Sequence, residues 1–337
     1  MGLDKERDIS MELYFHPDTP LEVYKDGKPV SLLTLANQKM PNIIYDSGIL
    51  SFSDSVGISS KFKEFLEANW KKREEISNQR NTPCFSLPLG ALVTAKPSES
   101  GNFVARFCPT EFKQYIGIAY PHIRLPSDLL EEHKRLYGLM RIGFVGCAVY
   151  LQSDKGRVAL ISTRPSDTYF QAPNDLDSTV AGYMPPVLGF LNPFEAIREK
   201  FKRELKLSES DLEKYLQKLS VTGIFSGRDH SSGGVAFVAD LNISLEQLRD
   251  GKNPDYLKEI EAIQEKRLPE VLIRRFLDGK GDGEGRLITD GFGILSLSLG
   301  CETFKEIAKN INKETKKPLI MEGTLENFVF KPTNEFS

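Results

Sequence analysis

Five charged side chains recur at short, regular intervals along one segment of the chain. They are Glu195, Glu199, Lys200, Arg203 and Glu204. Side chains three and four residues apart lie on one face of a helix, so neighbours in this series could act on a single ligand. Carboxylates in such an arrangement bind divalent cations, whereas ammonium and guanidinium groups bind phosphate. The same spacing is also typical of a solvated helix face that carries ion pairs between neighbouring turns.

The surrounding sequence predicts the helix that would carry these groups. Pro193 occupies the predicted first turn, where proline is favoured. Apolar residues then recur at steps of three and four, as on the buried face of an amphipathic helix: Phe194, Ile197, Phe201 and Leu205. Ser208 and Ser210 can cap a second helix, because Asp211 and Glu213 follow each of them by three residues.

Strands are predicted on both sides of this helix. A hairpin over residues 142–163 comes first, and a strand over 178–184 follows it. Two more strands begin at Val221 and Val235, and several helices are predicted after them, up to about residue 313. Hairpin, strand, helix, strands and helices in this order indicate an α/β or α+β sandwich.

Residues 142–300 resemble a Nudix domain. The signature of that family is a strand–loop–helix segment, G-x5-E-x7-R-E-U-x-E-E-x-G-U with U aliphatic, whose glutamates hold divalent metals against a diphosphate. The hairpin from Gly146 to Arg164 is similar to the family's first strands, with Arg164 near the usual arginine. The resemblance implies a Nudix-like α/β/α sandwich with a mixed sheet. It also implies a nucleotide or another diphosphate compound as the ligand, with Arg164 among the ligand-binding residues.

The signature fits this sequence in two registers. In the first, Gly189, Glu195 and the run Arg203-Glu204-Leu205 match literally. The glutamate pair that should follow falls on Leu207-Ser208, and the closing glycine falls on Ser210. This register fails there, because it continues the helix past the point where the next cap begins.

The second register follows the context of Pro193-Phe-Glu-Ala-Ile-Arg, which resembles family members that read P-F-E-A-I at this point. It needs no gap and ends the helix before Ser208, so it is the preferred register. The R-E pair then falls on Glu199-Lys200, the glutamate pair on Arg203-Glu204, the closing glycine on Lys206, and the opening glycine and first glutamate on Pro185 and Leu191.

Of the glutamates in the R-E-U-x-E-E run, only Glu204 is kept in both registers. In the second register Lys200, Arg203 and Glu204 occupy the metal-binding face. Two positive charges and one negative charge leave a net charge of about +1, where three carboxylates would carry about −3, and such a face repels Mg²⁺. The box is therefore degenerate. We expect no metal cofactor, and we expect Lys200 and Arg203 to bind phosphate directly.

Two alternatives stay open. An active Mg²⁺- or Mn²⁺-dependent diphosphate hydrolase would recruit Glu195, Glu199 and Glu204 as its catalytic carboxylates, with Glu204 as a metal ligand. An interaction or scaffold protein would use the fold only as a surface for a protein partner.

Two glycine-containing loops could also contact a ligand. Residues 226–234 form a polar segment between predicted strands, in which Arg228, Asp229 and His230 are candidate ligand-binding residues. Residues 278–285 alternate charged residues with glycine, but they lack the distal glutamate of an EF-hand loop and the G-K-[ST] of a P-loop. A flexible connector is expected there.

The first 130 residues contain predicted hairpins and helices but no motif that can be assigned. The hairpins are predicted over residues 20–32 and 89–107, and the helices over 60–76 and 127–139. We divide the chain into an N-terminal α+β region (1–130), a Nudix-like domain (131–320) and a C-terminal tail (321–337). A chain that begins near residue 127 is expected to fold alone.

Composition argues against several classes of function. The 337 residues include 44 basic and 47 acidic side chains, and the resulting net charge of −3 argues against a general nucleic-acid binder. No stretch approaches the roughly 18 apolar residues of a membrane span, and acidic residues near the start argue against a signal or transit peptide. Four cysteines are too scattered for a zinc site or a disulfide framework. These features predict a cytoplasmic protein without membrane contact.

Overall fold

The computed structural model describes most of the chain between residues 11 and 314. The described ranges are 11–15, 23–25, 28–30, 42–45, 51–81, 84–97, 103–154, 156–163, 176–186, 191–227, 232–249, 260–277 and 289–314. Within them, 13 strands are joined in one mixed sheet. No helix in these ranges has both the length and the apolar character needed to cross a bilayer.

The strands are β1 (Met11–Phe15), β2 (Val23–Lys25), β3 (Lys28–Val30), β4 (Asn42–Tyr45), β5 (Pro88–Pro97), β6 (Phe103–Glu111), β7 (Ile142–Ser153), β8 (Gly156–Thr163), β9 (Leu176–Ser178), β10 (Val180–Tyr183), β11 (Leu216–Gly227), β12 (Ser232–Leu241) and β13 (Ile260–Gln264). The helices are α1 (Phe52–Ser55), α2 (Ser60–Gln79), α3 (Phe112–Ala119), α4 (Leu130–Leu139), α5 (Pro193–Glu204), α6 (Glu209–Tyr215), α7 (Leu245–Arg249), α8 (Leu268–Leu277), α9 (Thr289–Ser298) and α10 (Cys301–Glu314). Short 3-10 turns precede α4 and α8.

Strand β7 lies at the centre of the C-terminal half. It pairs in parallel with β12 from Ile142 to Leu151. On its other edge β10 pairs antiparallel with its first half and β8 with its last four residues. Strands β11 and β1 extend the sheet beyond β12, both antiparallel. The sheet is therefore mixed, as predicted.

Alternate residues of β7 are buried in two different cores. Val145, Cys147 and Val149 belong to a cluster that includes residues of α5, α6 and α7. Phe144, Ala148 and Tyr150 belong to a second cluster, which includes residues of α8, α9 and α10. Because side chains of a strand alternate between faces, β7 needs helices on both sides, and its sequence is apolar almost throughout. The predicted α+β class, with helices on both faces of a mixed sheet, is confirmed.

The predicted hairpins and helix starts are confirmed, and one predicted strand is confirmed in part. The hairpins appear as β2–β3, β5–β6 and β7–β8, and α5 begins at Pro193. Ser208 caps α6 in a reciprocal pair with Asp211. The strand predicted over 178–184 is confirmed as β10 from Val180 to Tyr183, but the chain bends at Thr179, so Ser178 belongs to a separate strand, β9. The two pieces, β9 and β10, pair with different neighbours, β8 and β7.

The N-terminal region has its own cluster but shares contacts with the C-terminal half. Helices α2, α3 and α4 bury Phe62, Tyr115 and Leu136 together with Ile142 of β7. Helix α4 is held to the start of α2, because the backbone N–H and hydroxyl of Ser59 donate to the Glu132 carboxylate at 2.8 and 2.6 Å. By its contacts α4 therefore packs with the N-terminal elements.

Three further contacts cross the division expected near residue 130. Strand β1 covers the outer edge of β11, and β5 meets β7 at the pair Ala91–Ile142. Leu92 and Phe107, from β5 and β6, are buried in the same cluster as α5. The division itself remains a prediction, and these contacts change what we expect of a shortened chain.

We expect a chain that begins at residue 127 to lose cooperative unfolding. It would expose the apolar partners of Leu92 and Phe107, and it would leave the edge of β11 unpaired, which favours aggregation. The measurement is near-ultraviolet circular dichroism and thermal unfolding of the shortened and full chains. A chain that begins at residue 51 is the matched comparison, because it lacks β1–β4 but keeps β5, β6 and α2–α4. We expect that longer chain to unfold cooperatively at a lower temperature than the full chain. A sharp transition with native near-ultraviolet bands in the chain from 127 would contradict the shared core.

Candidate functional site

Helix α5 lies across β7 and β10 and is anchored by its apolar face. Its N-terminus is capped by Asn192, whose side-chain oxygen accepts hydrogen bonds from the backbone N–H groups of Phe194 and Glu195 at 3.0 and 3.2 Å. Ile197 and Phe201 are fully buried beneath it. The ring of Phe194 meets Phe237 of β12 edge to face, with centroids 5.1 Å apart. These contacts fix which residues of α5 face the sheet.

Lys200 faces the sheet at Gly182 of β10. A Cβ atom added at Gly182 would lie 2.6 Å from Lys200 Nζ and 2.8 Å from its Cε, so the lysine occupies space that any side chain at 182 would need. Gly182 has a φ of +150°, which residues other than glycine rarely adopt. The glycine therefore accommodates both the backbone conformation and the lysine.

The ammonium group of Lys200 lies in an unfavourable environment. Only 9% of the residue's surface is exposed, and the contacts of the described residues include no hydrogen bond or ion pair to Lys200. Burial first, and then the positive charge of Arg203, lowers its pKa from 10.5 to about 8, although the carboxylate of Glu204 opposes this. Both causes disfavour the charged amine.

Arg203 and Glu204 bind each other. The guanidinium donates to Glu204 Oε1 from Nε at 2.7 Å and from Nη2 at 2.6 Å. The Arg203 side chain is 61% exposed, whereas that of Glu204 is 26% exposed. Arg203 is thus close enough to Lys200 to affect its pKa, but its own charge is already paired with the neighbouring carboxylate.

The other two carboxylates predicted for an active hydrolase lie elsewhere on the helix. Glu199 is exposed and accepts a hydrogen bond from Lys202 at 2.7 Å, and Glu195 is exposed near the first turn. Glu195 precedes Glu204 by nine residues, which at about 100° per residue places it on the opposite side of the helix. Across the described part of the chain, no three His, Cys, Asp or Glu side chains come together as a potential metal site.

Leu191 has a structural role in the loop before α5. It is fully buried in the cluster shared with Leu92 and Phe107. A Cβ atom added at Gly90 of β5 would lie 2.6 Å from its Cδ1. The position that the second register assigns to the first glutamate is therefore an apolar contact with the N-terminal region.

Lys206 ends α5 in a left-handed conformation. Its φ is +53°, directly after Leu205, which caps the helix C-terminus. Glycine is preferred at this point of a helix end, because a Cβ atom is strained there. The second register assigns the closing glycine of the signature to this residue, whereas the first assigns it to Ser210, inside α6.

Several predicted ligand-binding residues lie outside the described ranges. They are Arg164, Arg228, Asp229 and His230, together with the glycine-rich segment 278–285.

Sequence reasoning missed Gly182 and the packing role of Leu191. The partner of each residue, Lys200 or Gly90, lies far away in the chain, so no local pattern reveals either contact. One signal does point to the burial of Lys200. It lies three residues after Ile197, at the edge of the apolar stripe of the helix.

Comparison with known proteins gives distant structural similarities only. Similar solved structures include a Nudix hydrolase, RenU, from M. smegmatis, at 12% identity over 53% of this chain and 89% of that chain, with a TM-score of 0.30. A mutT/nudix family protein from Listeria innocua has 14% identity over 49% of this chain and 96% of that chain, with a TM-score of 0.33. An Ap4A hydrolase from C. elegans has 13% identity over 40% of this chain and 85% of that chain, with a TM-score of 0.25. No family model and no curated protein matches the sequence. At these TM-scores the similarities do not establish a family for this chain.

Lys206→Gly is expected to stabilise the protein by about 1 kcal/mol, because glycine adopts the left-handed conformation without the strain of a Cβ atom. Urea unfolding of the variant and the wild type measures the difference. Lys206→Ala is the matched control, since it removes the same charge but keeps the Cβ atom. Equal stabilities of the two variants would show that the conformation at residue 206 costs nothing.

Proposed function

We propose that this chain is a Nudix-like protein with a degenerate box, which binds a nucleotide or another diphosphate compound through Lys200 instead of hydrolysing it with a metal ion. The observation that carries the proposal is Lys200, a residue with only 9% of its surface exposed, whose ammonium has no ion-pair partner among the described residues. An unpaired buried charge is costly, and an anion bound beside it offsets that cost.

Two features of α5 support the second register of the signature. The left-handed Lys206 lies where that register has glycine, and Lys200 lies where it has a glutamate, facing the sheet. In this register the metal-binding face carries Lys200, Arg203 and Glu204, so positive charge replaces most of the negative charge. Phosphate oxygens can then accept hydrogen bonds from the amine directly, without an intervening metal.

Arg203 contributes a second, weaker contact. Its guanidinium is exposed and donates two hydrogen bonds to Glu204. A phosphate that approaches Lys200 competes with Glu204 for this group, because guanidinium binds phosphate in a bidentate geometry as well as it binds carboxylate. Exposed ion pairs contribute little, so the exchange costs little.

The proposal predicts that Lys200→Met abolishes most ligand binding. Loss of a hydrogen bond to a charged group costs about 1.5–3 kcal/mol, which corresponds to an approximately 10- to 100-fold increase in Kd for ADP. The measurement is the rise in melting temperature with ADP, in the presence of a chelator that removes divalent cations. Lys202→Met is the matched control on the same helix, because Lys202 is ion-paired with Glu199 and Glu209. Equal ADP responses in the two variants, or none in the wild type, would overturn the proposal.

Binding should also weaken as the pH rises through about 8, where Lys200 loses its proton in the folded chain. The second ionisation of a phosphate monoester, with a pKa of about 6, is complete there, so the charge of the ligand does not change. The charged groups that act on this amine are Arg203, which lowers its pKa, and Glu204, which raises it. We expect the Kd for ADP to rise towards that of Lys200→Met between pH 7 and pH 9. A Kd that is independent of pH would show that the ligand does not contact this amine.

An interaction or scaffold role is the second candidate, and the packing of Leu191 favours it. That side chain joins the loop before α5 to the N-terminal region, so the segment serves a structural purpose without any ligand. A hydrolase would instead turn over nucleoside diphosphate compounds with Mg²⁺ or Mn²⁺. We expect no such turnover, because Glu195 and Glu204 lie on opposite sides of α5. Robust metal-dependent release of product that is lost in Glu204→Gln would establish the hydrolase instead.

A further inference from the structure

Strand β10 contacts α5 with one of its faces and the N-terminal helix α3 with the other. Adjacent residues of a strand point to opposite faces of the sheet. Gly182 lies against Lys200 of α5, which fills the space that a side chain would need. The next residue, Tyr183, packs on aromatic residues of α3. A strand of four residues therefore joins the candidate site directly to the N-terminal region.

The ring of Tyr183 is held by rings from two elements. Its centroid lies 5.3 Å from that of Phe112 and 5.7 Å from that of Tyr115, both on α3. It lies 5.9 Å from that of Phe144, the residue opposite it on β7. All three pairs meet edge to face, which is a favoured arrangement of aromatic rings.

A hydrogen bond between the side chains of Tyr115 and Tyr183 adds a polar contact to this packing. Tyr115 is fully buried, and burial raises its pKa well above 10. Its hydroxyl therefore keeps its proton throughout the pH range in which the protein would be studied. The contact is thus a neutral hydrogen bond in an apolar environment, where an unpaired hydroxyl would be costly.

The backbone of β10 makes few contacts of its own. Its four residues pair with β7, and within the described ranges this is its only ladder. The chain bends directly before it, at Thr179. Short segments with few contacts open locally at a lower free energy than long central strands. The packing of Tyr183 therefore contributes directly to where β10 lies.

We propose that the contact between Tyr115 and Tyr183 is a latch, through which the N-terminal region limits access to Lys200. The inference rests on the proposed function and names a means of regulating that site. Only 9% of Lys200 is exposed, so a diphosphate reaches the amine only after β10 and α5 separate at Gly182. A displacement of β10 at Gly182 also moves the adjoining Tyr183, and the latch opposes it. Apparent affinity falls with the fraction of molecules that are competent to bind, so the latch weakens binding.

The experiment is brief acetylation of the full chain with acetic anhydride under native conditions, followed by tandem mass analysis. The modification of Lys200 is measured relative to that of Lys202, which lies on the same helix with 35% of its side chain exposed. We expect Tyr115→Phe and Tyr183→Phe each to raise this ratio about two- to tenfold, the factor for one net hydrogen bond. The double variant should exceed neither single variant, because both changes remove the same hydrogen bond.

Tyr120→Phe is the matched control. Its ring packs edge to face on Tyr115 at 5.9 Å, so this change removes a hydroxyl from the same cluster and leaves the latch hydrogen bond intact. Acetylation is repeated at low urea concentrations, because global unfolding rises steeply with urea whereas the opening of one short strand exposes little surface. A wild-type ratio in both latch variants would overturn the proposal. So would an increase that follows urea as steeply as global unfolding does.

The Kd for ADP is measured separately, so that the latch and the proposed ligand can fail independently. If both hold, the Kd falls in Tyr115→Phe by about the factor by which acetylation of Lys200 rises. Raised acetylation with an unchanged Kd would uphold the latch and count against ADP binding at this amine. An ADP response that depends on Lys200, together with unchanged acetylation in both latch variants, would uphold the ligand and overturn the latch.

Discussion

The burial of β7 on both faces is the constraint on which the rest of the C-terminal half depends. Val145 and Cys147 lie in one core, and Phe144 and Ala148 lie in the other. Since neither face can be left to solvent, one set of helices covers each, and α5 covers the face that continues onto β10. Burial of the apolar stripe of α5 fixes the orientation of the helix about its own axis, and in this orientation residue 200 contacts Gly182. The location of the charged site is therefore a consequence of how the sheet is buried.

The two residues that the second register aligns with glutamates, Leu191 and Lys200, differ in what holds them in place. Leu191 gains apolar burial against Gly90 and Phe107, which explains a leucine there without reference to any ligand. Lys200 gains no comparable stabilisation from packing, since burial and the charge of Arg203 both disfavour its ammonium. A methionine would fill the same space with no charge to bury, and uncharged replacements of buried charges are often neutral or stabilising. Packing alone thus accounts for the leucine but not for the lysine, and this difference is the main reason to assign chemistry to Lys200.

Local sequence rules predicted the elements well because their determinants are close together in the chain. The start of α5 at Pro193 and the cap at Ser208 depend on residues within one helical turn, and the hairpins depend on short turns. The bend at Thr179, the contact of Leu191 with Gly90, and the contact of Lys200 with Gly182 depend on residues distant in sequence. The sequence showed which residues of α5 are charged, but it did not show which of these charged residues is buried. That outcome is decided by which glycine of the sheet the helix crosses.

The N-terminal region influences the candidate site through position and contributes no charged group to the contacts described. Leu191, which packs on β5 and β6, is followed directly by Asn192, the cap of α5. The start of the helix is therefore held between the N-terminal strands on one side and Phe237 of β12 on the other. A shift of β5 relative to β7, which meet at Ala91 and Ile142, would move the cap and tilt α5 over β10. Because Lys200 has little clearance at Gly182, such a tilt changes how far its amine is exposed, and with it both its charge and its access to a ligand.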